Sequence, residues 1–201
     1  MRFRDKIKKP QRPVVTYEIL PPREKDGTLN SYAEKISSLL SQTHIDAINI
    51  PEVREEEGRG KRPVVNSSRA EPRHFGRLLQ DMVGVESIVN RVVVHDELKN
   101  QIKWFKETHE KYEIENMIIV GGESSKIKYI GPTVNQILEL VAFKYNNNGG
   151  DILCGGITLP TRLNESKNLI RKSENGAEFF TTQVLCDSEN IIKMMNKYQE
   201  R

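Results

Sequence analysis

Six apolar, strand-like runs alternate with six amphipathic, helix-like stretches along this chain, and nearly every strand-like run closes on a polar residue or a glycine pair. These pivots are Glu18, Asn49, His95, Gly121-Gly122-Glu123, Gly155-Gly156 and Gln183. A period of two that gives way repeatedly to a period of 3.6 is the pattern of βα units, with parallel strands inside and helices packed around them. Closed on itself, such a repeat makes a barrel whose functional groups stand at the C-terminal ends of its strands.

The runs predict strands at 14–20, 46–50, 90–95, 117–120, 151–154 and 179–184. Helices are expected at 29–40, 71–82, 97–111, from 133 to the Asn146–Gly150 turn, at 162–175, and from a cap at Asp187 or Ser188 to 198. Pro21-Pro22 stop the first strand, because proline has no donor for a ladder. Pro72 fits the first turn of a helix, and Thr133 is a good N-cap. Between the second strand and the second helix, residues 52–70 form a long polar stretch containing Glu55-Glu56-Glu57, expected as a mobile lid or access loop. The sum is an α/β, TIM-type (βα) barrel in a single domain over 1–201, with about six of the eight units that closure requires. Truncation at the C-terminus, closure by a partner chain, or an open doubly wound sheet would each account for the shortfall.

A chain of 201 residues, 36% apolar and 29% charged, can bury a core beneath a polar surface. Its 31 basic and 28 acidic residues leave +3, too small an excess to imply nucleic acid. No run approaches the roughly 18 apolar residues of a membrane span, and the first residues lack the apolar stretch of a secretory signal. A cytoplasmic protein is therefore expected. The basic stretch Arg2 to Arg12 reads as a solvated arm. Cys154 and Cys186 have no CxxC spacing and are expected as small buried residues in a reducing compartment. His95-Asp96 shares no ligand-like spacing with His44, His74 or His109, so no metal is assigned.

Several residues could carry chemistry. Strand alternation puts Glu18 on the face opposite Val15, Tyr17 and Ile19, where a desolvated carboxylate could act as a general acid; a salt bridge to Arg23 is an equal reading. Gly121-Gly122 and Gly155-Gly156 could let backbone N–H groups approach a ligand, although ordinary tight turns are the stronger reading, and neither GxGxxG nor a P-loop is present. In the fifth helix Glu165, Asn168 and Lys172 share one side with Arg171 beside them, a spacing more often found on a solvated face. Gln183 lies inside the run Phe179 to Leu185 and needs hydrogen-bond partners, which makes a ligand-facing role at least as good as a structural one.

Three segments taken together, Val15-Thr16-Tyr17-Glu18-Ile19-Leu20-Pro21-Pro22-Arg23, Asn116-Met117-Ile118-Ile119-Val120-Gly121-Gly122-Glu123 and Asn175-Gly176-Ala177-Glu178-Phe179-Phe180-Thr181-Thr182-Gln183, resemble the methylenetetrahydrofolate reductase family in order and spacing. The resemblance implies a TIM barrel with FAD that reduces 5,10-methylenetetrahydrofolate, or a related C1-pterin, to the 5-methyl form with NADH or NADPH as reductant. It implies Glu18 as the catalytic acid, with Gln183, Glu123 and Asn49 at the substrate. It further implies that Gly122, Tyr129, Glu165, Asn168, Arg171 and Lys172 hold the flavin. The chain departs from the family pattern where a strand-three histidine is replaced by Arg91 or Val92, where Gly121 stands for an arginine, and where strand two ends Ile48-Asn49-Ile50-Pro51. A non-catalytic pterin-binding or partner-binding remnant and a flavin-free reductase are the alternatives. A homo-oligomer or a partner completing the barrel is compatible with either.

Overall fold

The computed structural model describes residues 1–54, 68–122 and 127–199. Its elements in chain order are α1 (Phe3–Lys8), β1 (Thr16–Glu18), α2 (Leu29–Leu40), β2 (Ala47–Ile50), α3 (Pro72–Val83), β3 (Glu86–Val92), α4 (Leu98–Glu110), β4 (Asn116–Val120), α5 (Val134–Glu139), β5 (Leu153–Thr158), α6 (Glu165–Glu174), β6 (Phe179–Thr182) and α7 (Glu189–Gln199). The six strands make one sheet in sequence order, β1 to β6, and every neighbouring pair is parallel. A doubly wound sheet needs a reversal of strand order, so that alternative is excluded. The fold is α/β and TIM-type, with six βα units and an open seam between β1 and β6 among the described residues.

Alternation along each strand divides the apolar residues into two layers. Ile48, Ile50, Val89, Met117, Ile119 and Cys154 face the surrounding helices and join one core with Phe75, Leu79, Phe105, Ile137 and Leu138. Ala47, Ile88, Ile118 and Leu153 face the concave side, where Phe3 and Phe179 pack against them. At the seam the outward side chains lose their cover: Val15 just before β1, Tyr17 on it, and Ile192 and Met195 on α7 are exposed.

Local rules account for most boundaries. Thr28 caps α2 by accepting from Ser31 N at 3.2 Å, and α2 covers its expected span. Glu71 caps α3 through His74 N at 3.0 Å, with Pro72 at the first helical position. Thr133 and Gln136 form a capping box on α5, which passes into a π-turn at Leu140–Tyr145. Four strands differ from expectation, one of them β6, which stops at Thr182 rather than at 184. β1 is only three residues long, hemmed by Pro13 and Pro21-Pro22 and paired on one side alone. β3 starts four residues before the expected Asn90, because Ser87 hides the apolar run; its hydroxyl is satisfied inside the fold by Gly76 O at 2.7 Å.

The remaining difference is β5, which runs through Gly155-Gly156 and so overturns their reading as a turn. A Cβ at Gly155 would lie 2.5 Å from the Phe179 ring, so the glycine exists to let β6 deliver an aromatic residue into the interior. Cys154 is buried, and burial pushes its thiol up to about 12, which makes it inert. Cys186 is exposed rather than buried, because it lies past the end of β6 in the segment that leads to α7.

The basic N-terminus is not a solvated arm. Phe3 is buried with its ring edge-on to Phe179, 5.8 Å between centroids, closing the N-terminal end of the interior. Around it the cations meet acids that stand where strands begin. Arg2 binds Glu115 and Asp151, Arg4 binds Asp151 and Glu178, and Lys8 reaches Glu178 at 2.7 Å. Lys6 and Arg12 reach Asp46 at 3.2 and 2.8 Å, and the Phe3 N–H donates to Glu86. Single exposed pairs of this kind are weak, but a shared ring fixes one docking pose for α1.

Asp46 is the buried member of that ring. The backbone N–H of Val15 donates to it at 2.9 Å, and this bond, opposed by burial and aided by Arg12 and Lys6, holds the carboxyl down to about 2. A folded-state value below the ordinary one contributes stability that is present above the unfolded pKa and is lost as pH falls through the folded one. Acid titration followed by circular dichroism should therefore show this contribution disappearing between about pH 4 and pH 2. The Asp46→Asn variant should be less stable at neutral pH and flatter across that window; an acid limb identical to wild type would contradict the assignment.

Candidate functional site at the C-terminal strand ends

Parallel register sets Glu18 opposite Asn49, and alternation turns both side chains to the concave face while Ile48 and Ile50 turn outward. Asn49 Nδ2 donates to Glu18 Oε2 at 2.8 Å. Arg23, the rival partner for Glu18, instead pairs with Asp26 at 3.1 Å. The expected desolvation of Glu18 is not found: the residue is exposed, because β1 has a neighbour on one side only. The structure thus joins two of the predicted site residues, Glu18 and Asn49, by a direct hydrogen bond.

A third member was missed in the sequence. Asn90 lies on β3 between Val89 and Arg91, both directed toward the helices, so its own side chain faces inward beside β2. Asn49 and Asn90 are each only 8% exposed, and the Oδ1 of each is buried without a hydrogen-bond partner among the described residues. The available signal was a polar residue inside an apolar strand; placing the strand's start at Asn90 concealed it.

The other predicted residues divide. Gly122 and Tyr129 do come together, since the tyrosine ring occupies the space that a Cβ at Gly122 would need. The Tyr129 ring also stands edge-on to His95 at 5.5 Å. Glu123 lies outside the described residues, as does most of the polar loop predicted at 52–70. Gln183 is one residue past the end of β6 and exposed, so the requirement for internal partners does not arise.

On α6 the predicted face is a hydrogen-bonded network rather than a solvated surface. Glu165 is 2% exposed; its Oε1 accepts from Thr158 Oγ1 at 3.2 Å and Leu159 N at 3.0 Å, and its Oε2 from Asn168 Nδ2 at 2.9 Å. Arg171 Nη2 donates to Asn168 Oδ1 at 2.8 Å, and Lys172 Nζ donates to Ile157 O. Burial raises the Glu165 carboxyl, but the donors Asn168 and Leu159 and the charges of Lys172 and Arg162 outweigh it and hold it below the usual range. Burial lowers the Lys172 ammonium, against the pull of Glu165. As a flavin cradle the set fits in part: Arg171 is exposed with donors free, whereas both oxygens of Glu165 and the amide of Asn168 are engaged within the fold.

Arg91 does not sit where a ligand could reach it. It is 5% exposed and donates to Glu52 Oε1 at 2.8 Å, Asp96 Oδ2 at 2.7 Å and Gln101 Oε1 at 2.9 Å, with its guanidinium 4.9 Å from the Trp104 ring. Glu52 Oε2 accepts from Val92 N at 2.7 Å, and Arg54 joins Glu52 and Asp96 at 2.8 and 2.9 Å. This cluster ties the chain leaving β2 to the end of β3, on the helix side of the sheet. A cavity of about 510 Å³ lies under Arg12, His44 and Asp46, at the opposite end of the strands from Glu18.

No protein-family model matches the chain, and no curated protein matches it. Solved structures do. An uncharacterized protein from Clostridium thermocellum that binds two copies of 5-methyl-5,6,7,8-tetrahydrofolic acid is 17% identical, with a TM-score of 0.73 over 98% of this chain and 63% of that one. A 2,3-dimethylmalate lyase of the PEP mutase/isocitrate lyase superfamily is 11% identical, with a TM-score of 0.59 over 96% and 64%. The 4-hydroxy-tetrahydrodipicolinate synthase of Methylacidiphilum fumariolicum SolV is 13% identical, with a TM-score of 0.53 over 93% and 59%. At these identities the likeness establishes the barrel fold. The chain spans about three fifths of the length of these structures. Among the described residues no helix is long and apolar enough to cross a membrane.

Removing one partner from a buried charge cluster strands the others. Arg91→Met, which keeps the length of the stem, should cost about 3 kcal/mol in urea denaturation by leaving Glu52 and Asp96 short of a cation. A loss below about 1 kcal/mol would show that Arg54 alone suffices.

Proposed function

We propose that this chain binds a reduced C1-folate on the concave face of its sheet, at the C-terminal ends of β1 to β3. The carrying observation is the inward-facing pair Glu18 and Asn49, joined at 2.8 Å where TIM-type folds place their chemistry. The 5-methyltetrahydrofolate-binding neighbour, which shares the fold over nearly the whole of this chain, supports the ligand class. The finer reading is reduction of 5,10-methylenetetrahydrofolate to the 5-methyl form in the manner of methylenetetrahydrofolate reductases, with NADH or NADPH as reductant. In it Glu18 donates a proton to N10 of the imidazolidine ring, the bond from the methylene carbon to N10 breaks, and an N5-iminium carbon is left to accept hydride. A bound FAD would supply that hydride, and Arg171 would be the residue of α6 to meet its phosphate. Asn49 holds the Glu18 carboxyl in place. Strands that close the seam against β1 would take Glu18 out of water and prepare it as an acid.

A second reading, folate binding without reduction, is favoured by the α6 network, since Glu165 and Asn168 spend their hydrogen bonds inside the fold. Titration with 5-methyltetrahydrofolate and, separately, with FAD separates the two. Binding of both supports the reductase, and folate alone supports the non-redox reading. Binding of neither rejects both. Glu18→Gln should keep folate affinity within about threefold while lowering methylene reduction by 10²-fold or more, roughly the worth of a positioned general acid. Undiminished turnover in that variant would remove Glu18 from the mechanism.

A further inference from the structure

Two acceptor oxygens aimed into the same face and left without donors ask for a ligand that brings donors. Asn49 and Asn90 are both more than nine-tenths buried, and both have an unpartnered Oδ1. For Asn49 the direction of the amide is set by its hydrogen bond: Nδ2 donates to Glu18 Oε2 at 2.8 Å, so Oδ1 is the atom left for the interior. Register places Asn49 beside Ile88, two residues before Asn90 on the same face, so the two asparagines are diagonal neighbours across adjacent strands, about 7–8 Å apart at the backbone. Ile88 stands next to Asn49 and Ile118 next to Asn90, and both isoleucines belong to the apolar interior cluster. The result is a row of acceptors, Glu18, Asn49 and Asn90, bordered by flat apolar surface.

We infer that Asn49 and Asn90 form a recognition site for the donor edge of a 2-aminopyrimidinone ring, the ring N–H and the exocyclic amino group giving hydrogen bonds to the two Oδ1 atoms. The apolar neighbours Ile88 and Ile118 take the face of the ring. This deepens the folate reading, because a pterin carries that edge, and it assigns a ligand contact to Asn90. A ring with an acceptor edge or an oxygen in place of the amino group would leave these buried oxygens unsatisfied, which is how the site would select.

The test is a ratio of affinities measured on the full chain by isothermal titration. Wild type should prefer 5-methyltetrahydrofolate over its 2-deamino analogue by about tenfold or more, the worth of a buried hydrogen bond with its desolvation cost. Asn90→Ala and Asn49→Ala should each bring that preference toward unity. A ratio taken within one variant does not depend on the fraction of it that is folded, so partial unfolding cannot imitate the effect. If 5-methyltetrahydrofolate binds and the preference persists undiminished in both variants, the asparagine assignment is overturned while the folate reading stands. If wild type does not bind 5-methyltetrahydrofolate, the folate reading fails, and guanine against hypoxanthine replaces the ligand pair. A guanine preference that vanishes in Asn90→Ala then upholds the asparagine site, and the absence of any preference overturns it.

Discussion

The parallel pairing of six strands in chain order is the constraint on which the rest depends. It fixes which residues of each strand look inward, and because the pleat has a period of two, a slip of one residue would exchange the two faces. With the register that forms, Glu18, Asn49 and Asn90 arrive on the concave side near its C-terminal end, while Ile48, Val89 and Arg91 go to the helices. The hydrogen bond from Asn49 to Glu18 is the direct consequence of their pairing.

The two ends of the sheet use charge differently. At the N-terminal rim, cations in and beside α1 meet acids that precede four of the six strands, the Phe3 N–H meets Glu86 at the start of a fifth, and the Phe3 ring fills the space between them. Charge there is consumed in docking a helix. Toward the C-terminal rim, Glu52, Arg54, Arg91 and Asp96 satisfy one another on the helix side, while the polar groups on the concave side keep unused capacity. Buried hydrogen-bonding capacity that the fold leaves open is costly, and it persists where something outside the fold meets it.

The βα order, most element positions and the inward direction of Glu18 were legible because periodicity reports them directly. Features set by distant partners were not. The Gly155-Gly156 pair looks like a turn until Phe179, contributed by the next strand, is seen to need the space. The basic N-terminus reads as solvated because its acids are spread over residues 46 to 178. Ser87 and Asn90 interrupt the apolar run of β3, and their burial depends on α3 and β2, which no local window contains. At Gln183 the reason is the opposite, since an apolar run implied a strand through 184 that the backbone ends at Thr182.

The account places the ligand on the concave face at the ends of β1, β2 and β3, and hydrogen–deuterium exchange with and without 5-methyltetrahydrofolate examines that placement directly. Slowed exchange on ligand addition should concentrate in peptides containing residues 16–19, 47–51 and 88–93. Protection confined to the N-terminal rim around Arg12 and His44, or absent under saturating ligand, would contradict it.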